Sequence, residues 1–89
     1  MHSEMRGSVR RMYVTLDSQH KMAYIGLCPQ QTGGVAESLP LAEFAEKAGV
    51  GALHDLVLDF DSTGRLVGIE VMNAKKVLPE ALIAEARRI

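Results

Sequence analysis

The stretch from Leu56 to Met72 (LVLDFDSTGRLVGIEVM) constrains the fold more than any other part of the chain. Leu56, Leu58 and Phe60 alternate with Val57, Asp59 and Asp61, which is the period of a half-buried strand. Val67, Ile69 and Val71 then alternate with Gly68, Glu70 and Met72. The intervening Asp61-Ser62-Thr63-Gly64-Arg65 has turn chemistry: Asp and Ser oxygens cap turns, and Gly64 takes positive φ at little steric cost. The segment is therefore predicted to be a β-hairpin. A one-residue slip turns the whole apolar set over, so the pattern also predicts register. Phe60 opposite Val67 sets Leu58 against Ile69 and Leu56 against Val71, placing six apolar side chains on one face. Phe60 opposite Leu66 would instead set Leu58 against Gly68 and Leu56 against Glu70, and the first register is preferred. The opposite face then carries Val57, Asp59, Asp61, Gly68 and Glu70, with Leu66 and Met72 as apolar exceptions.

A second hairpin precedes it. Met12, Val14 and Leu16 alternate within Arg10 to Asp17, and Ala23, Ile25 and Leu27 within Met22 to Cys28. Pairing Leu16 with Ala23 aligns Val14 with Ile25 and Met12 with Leu27 across the polar turn Ser18-Gln19-His20-Lys21. Pro29, which has no amide hydrogen to donate, ends the strand, and Gly33-Gly34 marks a loop. Val35 to Leu39 is a candidate edge strand. Pro40 to Ala48 is predicted to be a short helix, with Gly49 as the residue after its end. Val50 to His54 links it to the central hairpin. Beyond Met72 the chain leaves the sheet, with Val77 extending it briefly. Pro79 opens a C-terminal helix, with Glu80 at its positive end and Arg87 and Arg88 at its negative end. Leu78, Leu82, Ala86 and Ile89 form its apolar stripe, which covers a sheet face or meets a partner chain.

The fold class expected is α+β: a small, mainly antiparallel sheet of four strands, with Val35–Leu39 as a fifth, built from two β-hairpins with a short middle helix and a C-terminal helix. Residues 1–8 are expected to be a disordered N-terminal segment or a cloning remnant, and residues 9–89 a single domain, since 89 residues leave no room for two cores. Aromatic residues make up only 4% of the chain, so aliphatic packing must supply the core. Ten basic against eleven acidic residues show no footprint for nucleic acid or an anionic membrane. One cysteine cannot close an internal disulfide, and neither a membrane-spanning run nor a basic-then-apolar leader is evident, so the expected location is cytoplasmic.

Two segments resemble a family of small, mostly bacterial proteins, the domain-of-unknown-function family 2283. The later segment, Asp59-Phe60-Asp61-Ser62-Thr63-Gly64-Arg65-Leu66-Val67-Gly68-Ile69-Glu70-Val71, is similar to that family's Asp-x-Asp-x-x-Gly-x-x-x-Gly-Ile-Glu-Ile pattern. The earlier one, Leu16-Asp17 followed by Met22-Ala23-Tyr24-Ile25-Gly26-Leu27, is a looser match. Leu16 stands where the family usually has tyrosine and Lys21 where it usually has aspartate, and the Pro29–Asp55 segment is longer than typical. The resemblance implies a small sheet with a C-terminal helix and brings no established activity. Some members sit beside toxin-like genes, which implies an antitoxin-like role as one reading.

Asp59, Asp61 and Glu70 are the candidate metal or acid/base residues, since carboxylates on one hairpin face can hold a hard cation or work as a pair. Against this stands a solvated sheet face, because a Ca²⁺ ion takes about six to eight oxygens. His2, His20 and His54 are scattered without zinc spacing, and Cys28 ahead of Pro29 reads as a packing residue. No serine has nucleophile-elbow context, and Gly68 marks a bulge or a close approach by another group. No catalytic residue and no cofactor are assigned. Val57, Leu66, Met72, Tyr13 and Tyr24 are left over on the face away from the apolar set, and with Leu82 and Ile89 they form the candidate interface. The expected function is a non-enzymatic, homodimeric interaction or regulatory module, with a second small protein as a further partner. The alternative is a small metal- or ligand-binding protein, or weak hydrolase, using the Asp59/Asp61/Glu70 face.

Overall fold

The computed structural model describes residues 12–17, 19, 21–27 and 34–88. The expectations for residues 1–8, for His2, His20, Cys28, Pro29 and Gly33, and for Ile89 lie outside the described residues. The strands are β1 (Tyr13–Leu16), β2 (Met22–Gly26), β3 (Glu37–Pro40), β4 (Leu56–Phe60), β5 (Leu66–Met72) and β6 (Arg87–Arg88). A 3-10 turn, Ala42–Phe44, runs into helix α1 (Ala45–Ala48), and a second 3-10 turn, Gly51–Asp55, leads into β4. Helices α2 (Ala74–Val77) and α3 (Glu80–Glu85) follow β5. The sheet order is β3-β4-β5-β2-β1-β6: five antiparallel strands, with two-residue β6 added parallel to β1. The structure is α+β, with a short middle helix and a C-terminal helix as the sequence pattern predicts.

Both hairpins form. Leu16 pairs with Ala23 and Val14 with Ile25, as the alternation requires, and the ladder ends at Tyr13–Gly26 short of a Met12–Leu27 pair. In the central hairpin Leu58 faces Ile69 and Leu56 faces Val71, as expected. The expected Phe60–Val67 pair does not form; Phe60 lies opposite Leu66, and the register shifts by one residue between Asp59 and Phe60. The cause is a conflict between turn and strand preferences. The Asp61 amide donates to the Arg65 carbonyl at 2.9 Å, and Gly64 takes φ 85° inside the loop this closes. That closure dictates Phe60 opposite Leu66, whereas the apolar sets farther along dictate Leu58 opposite Ile69. A β-bulge with Val67 as the extra residue reconciles the two. Val67 is buried, and its carbonyl accepts from the Leu27 amide at 2.9 Å. Four of the six expected apolar residues (Leu56, Leu58, Ile69 and Val71) therefore share the face by unbroken register.

Pairing of β2 with β5 aligns Ala23 with Val71 and Ile25 with Ile69, which joins the apolar faces of the two hairpins into one. The core cluster is Leu16, Ala23, Val71 and Ala74, with Leu56, Val77, Leu78, Ile83 and Ala86 packed against it. Helices α2 and α3 thus supply cover for this face. The chain turns off β5 at Asn73, which adopts φ 51°, while the Ala74 amide donates to the Lys21 carbonyl at 3.0 Å. Val77, expected to prolong the sheet, closes helix α2 instead, because the left-handed Asn73 breaks the extended backbone. Of the expected C-terminal stripe, Leu78 and Ala86 reach the core, and Ile83 rather than Leu82 packs beside them.

Two further boundaries differ from expectation. Pro40 ends β3 rather than opening a helix, because the Leu41 amide donates to the Leu56 carbonyl at 3.0 Å and keeps this segment in the ladder. Gly49 does follow the helix end, at φ 71°, with its amide donating to the Ala45 carbonyl at 2.9 Å. Arg87 and Arg88 do not close a helix; the chain is extended at Ala86 and they pair with Thr15 and Leu16 along the outer edge of β1. Among the described residues no helix is long and apolar enough to cross a membrane.

Candidate functional site

Strand alternation places Tyr13 and Thr15 of β1, Met22 and Tyr24 of β2, Glu70 and Met72 of β5, Val57 and Asp59 of β4 and Ser38 of β3 on the face opposite the core. Two glycines shape it. A Cβ on Gly26 would fall on the ring and hydroxyl of Tyr13, and a Cβ on Gly68 would fall on the hydroxyl and ring of Tyr24. Each tyrosine therefore lies across the bare backbone of the neighbouring strand. The two rings stand 6.2 Å apart at 42°, a tilted aromatic pair. Sequence reasoning marked Gly68 as a bulge or a close approach, and it is both a neighbour of the bulge and the seat of Tyr24.

Asp59 sits opposite Gly68 in this arrangement and is only 1% exposed. The Ser38 hydroxyl donates to its Oδ1 at 2.7 Å. Glu70, one step along β5, is hydrogen-bonded to Asp59. That bond holds the Glu70 carboxyl above its ordinary value, and burial and the Asp59 charge push it the same way. Beside Glu70 lies a surface hollow whose lining among the described residues is Thr15, Asp17, Met22, Ala23 and Tyr24, none of them basic.

The structure thus brings two of the three candidate carboxylates together and commits the third elsewhere. Asp61 Oδ1 accepts from the Thr63 hydroxyl at 2.6 Å, the Thr63 amide at 2.9 Å and the Arg65 amide at 3.1 Å. The Thr63 hydroxyl bond and then the Arg65 amide bond lower the Asp61 carboxyl below its ordinary value. Among the described residues no three His, Cys, Asp or Glu side chains are grouped to hold a metal ion. His54 is exposed and lines a separate hollow with Asp55 and Lys76, where Asn73 Nδ2 donates to Asp55 Oδ1 at 3.0 Å.

Of the candidate interface residues, Tyr13, Tyr24, Val57 and Met72, all half-buried, share the face with Asp59 and Glu70. Leu66 is exposed opposite Phe60, beyond the bulge. Leu82 lies on the core side, in an open hollow between α3 and β1 shared with Val14 and Ile25. Ser38 and Met22 are among the residues of the face that sequence reasoning left out. Ser38 could be placed only by knowing the β3–β4 register, which no local pattern supplies. Met22 carried a signal, since it alternates with Ala23 in a strand that now lies inside the sheet, yet it remains 45% exposed.

No curated protein and no solved structure matches the chain. A family described as "Protein of unknown function (DUF2283)" matches residues 14–75, a span from β1 into α2 that contains Tyr24, Ser38, Asp59, Gly68 and Glu70. With that much of its length and nearly all of its sheet inside the match, the chain belongs to the DUF2283 family.

Proposed function

We propose that this chain is a non-enzymatic interaction module that works as a homodimer in the bacterial cytoplasm, docking through the sheet face that carries Tyr13, Tyr24, Met22, Val57 and Met72. The observation that supports this most directly is Met22. It sits on β2, an inner strand with neighbours on both sides, and 45% of its surface is exposed opposite Met72. An apolar side chain on an inner strand is ordinarily covered, and an uncovered apolar patch on a sheet favours association. Identical chains pair most often through a two-fold axis. The sheet edges fit this role less well: β3 ends in Pro40, which has no amide to donate, and β6 is a pair of arginines. A regulatory contact with another small protein, antitoxin-like in role, would use the same face.

A second reading has Asp59, Asp61 and Glu70 hold a cation or small ligand. It draws on the Asp59–Glu70 contact, but Asp61 is held in its own turn, where Oδ1 accepts three hydrogen bonds. Light scattering at micromolar concentration separates the two. The dimer reading expects twice the chain mass for the wild type and a single-chain mass for Met22→Lys. Because Met22 is half exposed, the substitution should alter monomer stability by no more than about 0.5 kcal/mol. A wild-type mass of one chain, with a melting temperature raised by divalent cations, would overturn the first reading in favour of the second.

A further inference from the structure

Met22 and Met72 lie directly opposite each other on β2 and β5, two inner strands, on the face that also holds Tyr13 and Tyr24. Met22 is 45% exposed, Met72 is half-buried, and the hollow beside Glu70 opens next to Met22. A thioether so placed is open to small oxidants from solvent, and methionine is an apolar side chain that a peroxide turns polar. Met12 supplies an internal contrast. It is 44% exposed, but alternation puts it with Val14 and Leu16 on the core side of the sheet, in the hollow shared with Ile25 and Leu82. We propose that Met22 is a reversible oxidation site whose sulfoxide holds the chain as a monomer. This rests on the reading of the tyrosine face as the surface on which two copies pair.

The co-reactant is hydrogen peroxide. A lone pair of the Met22 Sδ attacks one peroxide oxygen, the O–O bond breaks, a sulfur–oxygen bond forms, and the other oxygen leaves as water after taking up the proton of the transferred one. The sulfur loses two electrons and the peroxide gains them. The sulfoxide oxygen then needs water or another donor. Pressed against the apolar side chains of a second copy, it loses that water, and a two-fold axis places two such oxygens in every interface. Pairing in turn covers Met22, so the monomer is the reactive form and the dimer the protected one. Oxidation therefore draws the equilibrium toward single chains by mass action. Enzymatic reduction of the sulfoxide restores the thioether and with it the pairing surface.

Limited treatment of the full chain with hydrogen peroxide tests this, on a Cys28→Ser background so that the one thiol does not compete. Light scattering before treatment fixes the mass at each protein concentration. Tryptic cleavage after Arg11, Lys21 and Arg65 puts Met12, Met22 and Met72 on separate peptides, and mass spectrometry follows the oxidation of each. Where the chain runs as a monomer, Met22 and Met12 are expected to oxidise at similar rates, because their exposures match. Where it runs as a dimer, Met22 should slow several-fold and Met12 should not. Chains carrying Met22 sulfoxide should pair about tenfold or more weakly. Met12→Leu is expected to keep this response and Met22→Leu to lose it; should Met22→Leu fail to fold or pair, the Met22 and Met12 rates at the two concentrations decide. A Met22 rate that ignores concentration across the monomer–dimer range, or pairing undiminished after full conversion of Met22, overturns the oxidation site with the dimer itself intact. A single-chain mass at every concentration before peroxide overturns the dimer reading, and this inference with it.

Discussion

Gly68→Ala offers the sharpest test of how the tyrosine face is built. The Gly68 backbone lies outside the left-handed region, so alanine meets no conformational penalty there. Its methyl group would nevertheless overlap the Tyr24 hydroxyl and ring, with Cε1 still only 3.0 Å away, and the ring must leave its seat. Overpacking of this kind costs about 1–3 kcal/mol. Replacing glycine by alanine at a compatible site returns about 0.4–1 kcal/mol by restricting the unfolded chain. The net expectation is a loss of about 1–2 kcal/mol, or roughly 4–8 °C in melting temperature per kcal/mol for a domain of this size. The diagnostic lies in a double-mutant cycle. In a Tyr24→Ala background the obstacle is gone, so Gly68→Ala should become neutral or stabilise by about 0.4–1 kcal/mol. Urea titration of the four proteins at constant m-value measures the coupling. Equal destabilisation by Gly68→Ala in both backgrounds would refute the reasoning, because the obstacle would then be something other than the ring.

Ser38→Ala removes the hydroxyl that donates to buried Asp59 and is expected to cost about 1.5–3 kcal/mol in urea unfolding, as for other hydrogen bonds to charged groups. Asp61→Ala should lower thermal stability at neutral pH and flatten the acid side of the melting profile: the lowered Asp61 carboxyl contributes stability above its unfolded value and loses it as pH falls through the folded one. Gly49→Ala, at φ 71° with open space around it, should destabilise by about 1 kcal/mol through backbone strain alone. Gly51→Ala, equally open but outside the left-handed region, should be neutral or slightly stabilising in the same thermal melt.

These perturbations fall where the chain was hard to read. The two hairpins were legible because each pairs two strands of strict alternation, and the Leu16–Ala23, Val14–Ile25, Leu58–Ile69 and Leu56–Val71 pairs follow from that alone. The bulge was not legible, because Leu66 and Val67 are both apolar and either satisfies the pattern opposite Phe60. Only the hydrogen-bond closure at Asp61 and Arg65 decides between them. Arg87 and Arg88 misled for a similar reason. Basic residues after a helical stripe suit a helix end, yet the outer edge of β1 offers backbone partners that no local pattern announces.

Asp59 is the most instructive residue of the candidate site. Within an alternating strand a charged residue reads as solvent-facing, and on that reading Asp59, Asp61 and Glu70 are equivalent. The structure separates them by their neighbours: Asp61 is taken by its own turn, Glu70 is half-buried, and Asp59 is sealed among Ser38, Glu70 and the Gly68 position that Tyr24 crosses. Burying a carboxylate is costly unless its oxygens are satisfied, and here the partners come from β3, where Ser38 lies 21 residues earlier in the chain, and from β5, where Glu70 lies across the turn. The glycines at 26 and 68 are what make the seal possible, because a side chain at either position would lift a tyrosine off the sheet. The aromatic cover, the bare backbone beneath it and the Asp59–Glu70 pair therefore depend on one another. A change at Gly68 should be felt at the Glu70 carboxyl as well as in Tyr24, a coupling that stability measurements and carboxyl titration can read on the same variant.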